Sequence, residues 1–232
     1  MDRIAIIPAR GGSKRLPRKN VMAFNGRPML HYSISAALGS GLFRDVIVST
    51  EDPDIAESAR TAGAEVLSRD PNLSTDTATV NQVLIHCLDI LGSQGRTYEQ
   101  VCCLFATAPL RTADDIRKAH ALLNPPKVNT VIAVSTYPLP PFQALITDES
   151  GYLKLKWPEE GQMQSQKLPR LLVDNGSTYW ATMAAYRQEK TFYGDKMVGY
   201  EMPFLRSVDI DTEEDFRLAQ AIAASMHGQV IS

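Results

Sequence analysis

Near the start of the chain, one ten-residue stretch holds Arg10, Lys14, Arg15, Arg18 and Lys19, with Gly11, Gly12 and Ser13 between the first two cations. Adjacent glycines let a backbone bend tightly and approach a ligand closely. Successive N–H groups in such a turn can point into one concavity and cradle an anion, and Arg and Lys add charge-assisted hydrogen bonds to phosphate oxygens. These residue types in this order suit a polyphosphate. A solvated basic loop touching nucleic acid is the plain alternative. The segment has neither the G-x-x-x-x-G-K-[ST] order of a P-loop nor the G-x-G-x-x-G of a dinucleotide fold.

A second group lies near the other end, in VDIDTEEDF, where Asp209 and Asp211 flank Ile210. Ser207–Ile210 is expected as a late strand, and in a strand positions two apart share a face, so both carboxylates point together. Like charges so placed repel unless something positive lies between them. A divalent cation with hard oxygen ligands answers that need, and magnesium typically combines one or two carboxylates with phosphate oxygens and water. The alternative is a helix cap at Asp211 with Asp209 in a surface ion pair.

The elements that must position these groups follow from patterning. Ile4–Ile7 is a β-branched run suited to a buried strand that feeds the basic loop. Strands are expected at Asp45–Thr50, Ala64–Leu67, Gln100–Phe105, Thr130–Ser135 and Ser177–Thr182. Helices are expected from Pro28, from Asp52–Pro53 to Gly63, from a Thr77 cap to about Leu91, from a Thr112 cap, and from Thr212 to about Ala224. Alternation of this kind implies an α/β fold with helices on both faces of the sheet. FATAPLR, from Phe105 to Arg111, leaves a strand end on small residues, where an open α/β sheet has room for a ligand. From Tyr137 to Pro169 the rhythm breaks. YPLPPFQ is rich in proline and aromatics, and short strands are expected near Ala144–Ile146 and Leu153–Lys156. Such an excursion reads as a dimerisation arm spanning residues 137–169, set into a catalytic domain made of 1–136 and 170–232; a hairpin folded back on its own subunit is the alternative.

Composition narrows the function classes. The 232 residues are 44% hydrophobic and 22% charged with a net charge of −2, so an overall basic nucleic-acid binder is not expected and the basic loop is a local feature. No apolar run approaches ~18 residues, so no membrane span is expected, and the opening strand shows no leader pattern. Cys87, Cys102 and Cys103 have no disulfide-framework or metal-ligand spacing and read as reduced, buried thiols of a cytoplasmic protein.

The run IAIIPARGGSKRLPRKN resembles the N-terminal signature of the cytidylyltransferases that activate nonulosonic, sialic-type acids. The resemblance extends to the last helix, where Val208-Asp209-Ile210-Asp211-Thr212 stands in place of the family's metal-binding I-D-I-D or Q-D-I-D-T element. It implies a three-layer, Rossmann-like nucleotide-diphospho-sugar transferase fold with a mixed, mainly parallel sheet. It implies CTP as co-substrate, Mg2+ or Mn2+ as metal, a nonulosonic acid as acceptor and a homodimer, with no nucleic acid and no membrane as partner. In catalytic roles it places Arg10, Lys14 and Lys19 on the triphosphate, and Asp209 and Asp211 on the metal.

Around the nucleotide the resemblance places Ala9, Gly11, Gly12, Ser13, Asn20, Arg69, Asp76, Thr77, Ala106 and Thr107; a surface pair of Arg69 with Asp70 is the alternative. Around the sugar it places Phe105, Arg111, Asn175 and Tyr179. The family's usual Arg for the sugar carboxylate is missing from MQSQKLPR, which offers Gln164, with Lys167 and Arg170 close by. Sialic-acid members tend to carry Gln and Pro where Phe105 and Ala106 stand. CCLFATAP and the Tyr179-Trp180 pair are more similar to members acting on pseudaminic acid, although core packing is the plain reading of Trp180. The other sugars left open are N-acylneuraminate, legionaminate and 3-deoxy-manno-octulosonate, and the reading outside enzymes is a nucleotide- or nucleic-acid-binding module.

Overall fold

The computed structural model describes residues 2–228. In chain order they form β1 (Arg3–Pro8), β2 (Ala23–Phe24), β3 (Arg27–Pro28), α1 (Met29–Ser40), β4 (Asp45–Thr50), α2 (Pro53–Thr61), β5 (Glu65–Ser68), α3 (Val80–Ser93), β6 (Gln100–Leu104) and α4 (Ala113–Ala121). There follow β7 (Thr130–Thr136), β8 (Leu145–Thr147), β9 (Leu153–Leu155), β10 (Leu172–Thr182), α5 (Met183–Glu189), β11 (Met197–Glu201) and α6 (Glu213–Gly228). Seven strands make one sheet in the order β11-β7-β10-β6-β1-β4-β5. All neighbours in it are parallel except β10, which runs antiparallel to both β6 and β7. The mixed, mainly parallel sheet is the one that the family resemblance implies, and its helices lie on both faces as the alternation of elements predicts.

Strand β1 shows why the sheet needs helices on both faces. Its side chains alternate, and Ile4, Ala5, Ile6 and Ile7 are all buried. Ala5 and Ile7 pack with Leu30 and Ile34 of α1, Ile55 of α2 and Ile116 of α4. Ile4 and Ile6 pack on the other face with Leu84 and Leu88 of α3 and Tyr186 of α5. Trp180 is fully buried and stacks on Phe43 with ring centroids 5.0 Å apart, so its role is in the core.

A third cluster matters more for function. It joins Leu16, from inside the basic loop, to Ile210, from between the two aspartates, and to Phe24, Met29, Leu110 and Phe216. Burying a Leu or Ile side chain contributes roughly 1.5–3 kcal/mol. Two segments almost two hundred residues apart in sequence are thus held by one apolar anchor, each presenting its charged residues to the same space.

Several helix starts match the sequence signals. Asp52 accepts from the N–H groups of Asp54 and Ile55 at the start of α2. Thr112 and Asp115 form a reciprocal capping box on α4. At α6, Asp215 Oδ2 accepts from Thr212 N at 2.8 Å while Thr212 Oγ1 accepts from Asp215 N at 3.2 Å.

Other expectations need correction. Thr77 does not cap α3; Thr79 does, with Gln82 returning the bond, because the capping box needs its partner three residues on. Pro28 precedes α1 and pairs with Ala23. Ser207–Ile210 is not a strand. The late strand is Met197–Glu201, parallel to β7 at the sheet edge. Residues 207–211 pair with no strand. They cross the end of the sheet, where Ile210 N donates to Thr107 O at 2.9 Å.

The segment from 137 to 171 leaves the main sheet between β7 and β10 and carries the separate β8–β9 hairpin. Its apolar side chains face outward, with Leu139 76%, Tyr152 73% and Leu153 65% exposed. Among the described residues no helix is long and apolar enough to cross a membrane.

Candidate active site

The parallel strands β1, β5 and β6 end at one edge, and the chain leaving each of them lines a cleft there. A cavity of about 340 Å³ is bordered by Pro8, Arg10, Lys19, Arg69, Phe105 and Asp209, among others. Asn20, Asp76, Ala106, Thr107 and Asp211 line it as well. A neighbouring cavity of about 310 Å³ lies within the basic loop itself and is lined by Arg10, Ser13, Lys14, Arg15, Lys19 and Asn20 with Asp76 and Asp211. The two chemistry-bearing ends of the sequence therefore meet in space.

The loop is not a bare cation. Arg10 donates to Asp76 Oδ1 at 2.8 Å, and Lys14 pairs with the same carboxylate. These two partners, Lys14 foremost, hold the Asp76 carboxyl below its usual range. Arg18 reaches Asp52 and Asp54. Lys19 Nζ lies 2.7 Å from Asp211 Oδ1 and 3.0 Å from Ile210 O, and Arg15 meets Asp211 Oδ2 at 2.6 Å. Even the Gly11 N–H, expected to cradle an anion, donates to Glu51 Oε1 at 2.7 Å. A side chain at Gly11 would come within 2.4 Å of Asp52 Oδ2, so that close approach requires glycine. Exposed ion pairs contribute only ~0–1 kcal/mol each. Such carboxylates hold the cations in place while yielding readily to a stronger anion.

The remaining nucleotide-side candidates are placed as follows. Ala9 is buried and donates its N–H to Ser49 O at 3.0 Å. Asn20 is buried and donates through Nδ2 to Arg10 O at 2.9 Å, fixing the loop's entry. Gly12 is exposed. Arg69 does not pair with Asp70. It is buried, donates through Nη2 to Ser49 O at 2.7 Å, and burial pulls its pKa below the ordinary value. Thr77 is exposed beside Thr75, its hydroxyl 3.1 Å from that of Thr75.

Asp209 and Asp211 line one cavity although no strand carries them; Ile210 turning into the third cluster leaves its two neighbours facing the cleft. Their environments differ. Asp211 is neutralised by Lys19 and Arg15. Asp209 has Oδ1 buried without a hydrogen-bond partner. Its carboxyl is pushed up to about 6, first by burial and then by the Asp211 charge, against the opposing Thr107 hydroxyl and Lys19. Gly176 (φ +65°) makes room for it: a Cβ there would lie 2.6 Å from Asp209 Oδ2. Gly176→Ala should therefore displace Asp209 and strain the backbone. We expect at least a tenfold fall in kcat, read by steady-state kinetics, and a loss of about 1–3 kcal/mol, read by thermal unfolding.

A further cavity of about 460 Å³ adjoins the first, sharing Phe105 and Asp209, and includes Asp174, Asn175, Gly176 and Tyr179 in its wall. Arg111 lines neither of these two cavities. It is 3% exposed and donates through Nη1 to Phe105 O at 3.2 Å and Ser177 O at 2.7 Å, tying the turn after β6 to β10. Burial pulls its pKa down to about 10. Gln164 and Lys167 are exposed on the outlying segment, and Arg170 pairs with Glu201. None of these three lines the two central cavities of its own chain.

Residues 4–223 match the Cytidylyltransferase family. The chain belongs to the cytidylyltransferase family. It is 35% identical over 228 residues to the pseudaminic acid cytidylyltransferase of Campylobacter jejuni, covering 98% of each chain. It is 32% identical over 223 residues to the CMP-N,N'-diacetyllegionaminic acid synthase of Legionella pneumophila, covering 94% of this chain and 95% of that one. The fold is shared with a CMP:2-keto-3-deoxy-manno-octonic acid synthetase solved in complex with CTP, at a TM-score of 0.68 and 17% identity, covering 97% of this chain and 100% of the other.

Within this cytidylyltransferase, several residues at the site escaped the sequence reading. Glu51, Asp52 and Asp54 follow the end of β4, and a carboxylate run after a parallel strand was an available signal. Asp174 stands next to Asn175 in the sequence, and only the structure shows its carboxylate in the cavity wall.

Proposed function

We propose that this family member transfers CMP from CTP to a nonulosonic acid, pseudaminic acid in the first place, releasing pyrophosphate. The observation that carries the reading is the meeting of the basic loop with Asp209 and Asp211 in one cleft that opens onto a second cavity. In this reading the triphosphate takes over the cations now paired with Asp76 and Asp211. The sugar's anomeric hydroxyl attacks the α-phosphate in line. Arg10, Lys14 and Lys19 stabilise charge on the triphosphate and on the departing pyrophosphate. Ala9, Gly11, Gly12, Ser13 and Asn20 shape the phosphate side. Arg69, Asp76, Thr77, Ala106 and Thr107 border the nucleoside, while Phe105, Asn175 and Tyr179 face the sugar.

Asp209 and Asp211 would hold Mg2+ or Mn2+. The fit rests on the buried, unpartnered Oδ1 of Asp209 in a cradle kept open at Gly176, and on two hard oxygen donors of the kind magnesium combines with phosphate. Bound there, the ion would neutralise phosphate charge and acidify a coordinated hydroxyl. The relatives named for pseudaminic and diacetyllegionaminic acid support the substrate class. Turnover of CTP with a panel of nonulosonic acids tests it: the highest kcat/KM should fall to pseudaminic acid, and a higher value for N-acylneuraminate would move the assignment to that sugar.

The outlying segment is read as a dimerisation arm of a cytoplasmic enzyme. Its outward apolar side chains are of the kind that find a partner surface. In a two-fold dimer each arm would embrace the other subunit, bringing Lys167 or Arg170 to the partner's sugar carboxylate. Light scattering should give about twice the chain mass. Mixing Lys19→Ala subunits with Lys167→Ala/Arg170→Ala subunits should restore activity that neither has alone. A fully active monomer would leave the arm as an intrasubunit hairpin.

A further inference from the structure

Strand β10 does not run smoothly past β7. Its register places Asp174 opposite Val134 and Tyr179 opposite Ile132, five residues of advance against two, with Gly176 at φ +65° inside the bulge. Bulges next to a site re-aim side chains. This one turns the Asp174 carboxylate into the wall of the sugar-side cavity. There Oδ1 accepts from Gly176 N at 3.0 Å and from the Tyr179 hydroxyl at 2.9 Å, while Oδ2 accepts from Tyr179 at 3.0 Å and from the Tyr193 hydroxyl. Burial, helped by the Asp174 charge, pushes the Tyr179 phenol well above its ordinary range and the Tyr193 phenol to about 12, so both hydroxyls remain protonated donors at neutral pH.

The two tyrosines are not equivalent. Tyr179 is 6% exposed and fixed in the core, whereas Tyr193 is 61% exposed, with its hydroxyl on Asp174. A carboxylate offers about four acceptor positions, so a departing Tyr193 frees one for a ligand donor. The charged members of this cavity wall are Asp174 and Asp209, both acidic, so a group bound here donates rather than accepts. Beside it lies an apolar cavity of about 210 Å³ lined by Val80, Cys103, Phe105, Tyr179, Phe192 and Tyr193, together with Asn81. A hydroxyl on Asp174 would leave that space empty. A secondary amide places its N–H on the carboxylate and its acyl carbons among the aromatic rings.

We propose that Asp174 is a specificity-determining residue for the sugar acid, accepting the N–H of an acylamino substituent that displaces the Tyr193 hydroxyl. The inference rests on the reading of the chain as a nonulosonic acid cytidylyltransferase. It separates acylamino sugar acids from those that carry hydroxyls alone. One hydrogen bond to a charged group is worth about 1.5–3 kcal/mol, or roughly 10–100-fold.

The test measures kcat/KM with CTP for pseudaminic acid and for 3-deoxy-manno-octulosonic acid, which has no acylamino group. Asp174→Asn retains an oxygen for the Gly176 N–H but loses the charge. It should cut kcat/KM for the acylated sugar about 10–100-fold, mainly through KM, reduce discrimination between the two sugars at least tenfold, and leave KM for CTP within about twofold. Tyr193→Phe removes the competing donor and should raise kcat/KM for the acylated sugar about threefold. If Asp174→Asn does not fold, Asp174→Glu, which keeps the charge but moves it by one methylene, should show the same loss of discrimination. Unchanged discrimination in the folded variant overturns the inference, as does a parallel rise in KM for CTP, which would mark a merely structural role. A wild-type protein that turns over CTP with no acylamino sugar acid, N-acylneuraminate and legionaminate included, would instead refute the nonulosonic acid reading, and this inference with it.

Discussion

Lys19→Ala is expected to lower kcat/KM at least ~100-fold while the protein remains folded, a loss of about 2.7 kcal/mol of transition-state stabilisation. Lys19 is the most enclosed of the loop cations that reach Asp76 or Asp211, its side chain 13% exposed against 36% for Arg10, 68% for Arg15 and 80% for Lys14. A charge held away from water acts at a lower effective dielectric and weighs more on a developing phosphate charge. It is also pinned by two contacts, Asp211 and the Ile210 carbonyl, so it needs little reorganisation when a triphosphate arrives. Asp211 keeps Arg15 in the variant, so unfolding stability should fall by no more than about 1 kcal/mol. Arg15→Ala, at an exposed position, should cost about tenfold or less. Steady-state kinetics beside a thermal melt separates the two effects. A folded Lys19→Ala protein with normal turnover would mean that the triphosphate does not lie on this loop.

Asp209→Asn should have the larger effect, an activity loss on the order of 10³-fold, because a carboxylate that faces both cavities and suits a divalent ion is replaced by a neutral amide. Stability should move the other way. Burial raises the folded-state pKa to about 6 from an ordinary 3.8, so the folded protein gains from taking up a proton. That gain is complete below the ordinary value and is lost as pH rises through about 6. In chelator at pH 7.5, Asp209→Asn should thus be more stable than the natural chain by roughly 2–3 kcal/mol, with the difference vanishing below pH 4. Asp211→Asn should gain no stability, since Asp211 is already balanced by Lys19 and Arg15. An Asp209→Asn protein that is both active and less stable would remove the strained carboxylate from the account.

The basic loop and the paired aspartates were legible in the sequence because their chemistry lies in residue type and local order. The strands behind them were legible because a parallel strand covered on both faces must be apolar throughout, as Ile4–Ile7 is. What could not be read was which opposite charge meets which cation. Asp76 approaches Arg10 and Lys14 only through tertiary packing of the loop before α3, and Asp211 reaches Lys19 because Leu16 and Ile210 enter the same cluster. The misplaced late strand has a related cause. Ser207–Ile210 has the right local character, but the edge of β7 is taken by Met197–Glu201, and Ile210 bonds to Thr107 beyond the end of β6 instead. The cap at Thr79 was legible in principle, since Gln82 stands three residues on; the earlier Thr77 merely shares its chemistry. Arg111 reads from sequence as a ligand arginine beside a strand end, and only the fold shows that two main-chain carbonyls take its guanidinium inside.

The central claim is that a sugar acid, and not water, receives the CMP group. Phosphorus NMR of the purified protein with CTP, Mg2+ and pseudaminic acid tests it most directly. Pyrophosphate and a CMP-sugar phosphodiester should appear in equal amounts, only when the sugar acid is present and only until chelator is added. Release of inorganic phosphate and CDP, or pyrophosphate formed at the same rate without sugar, would contradict it.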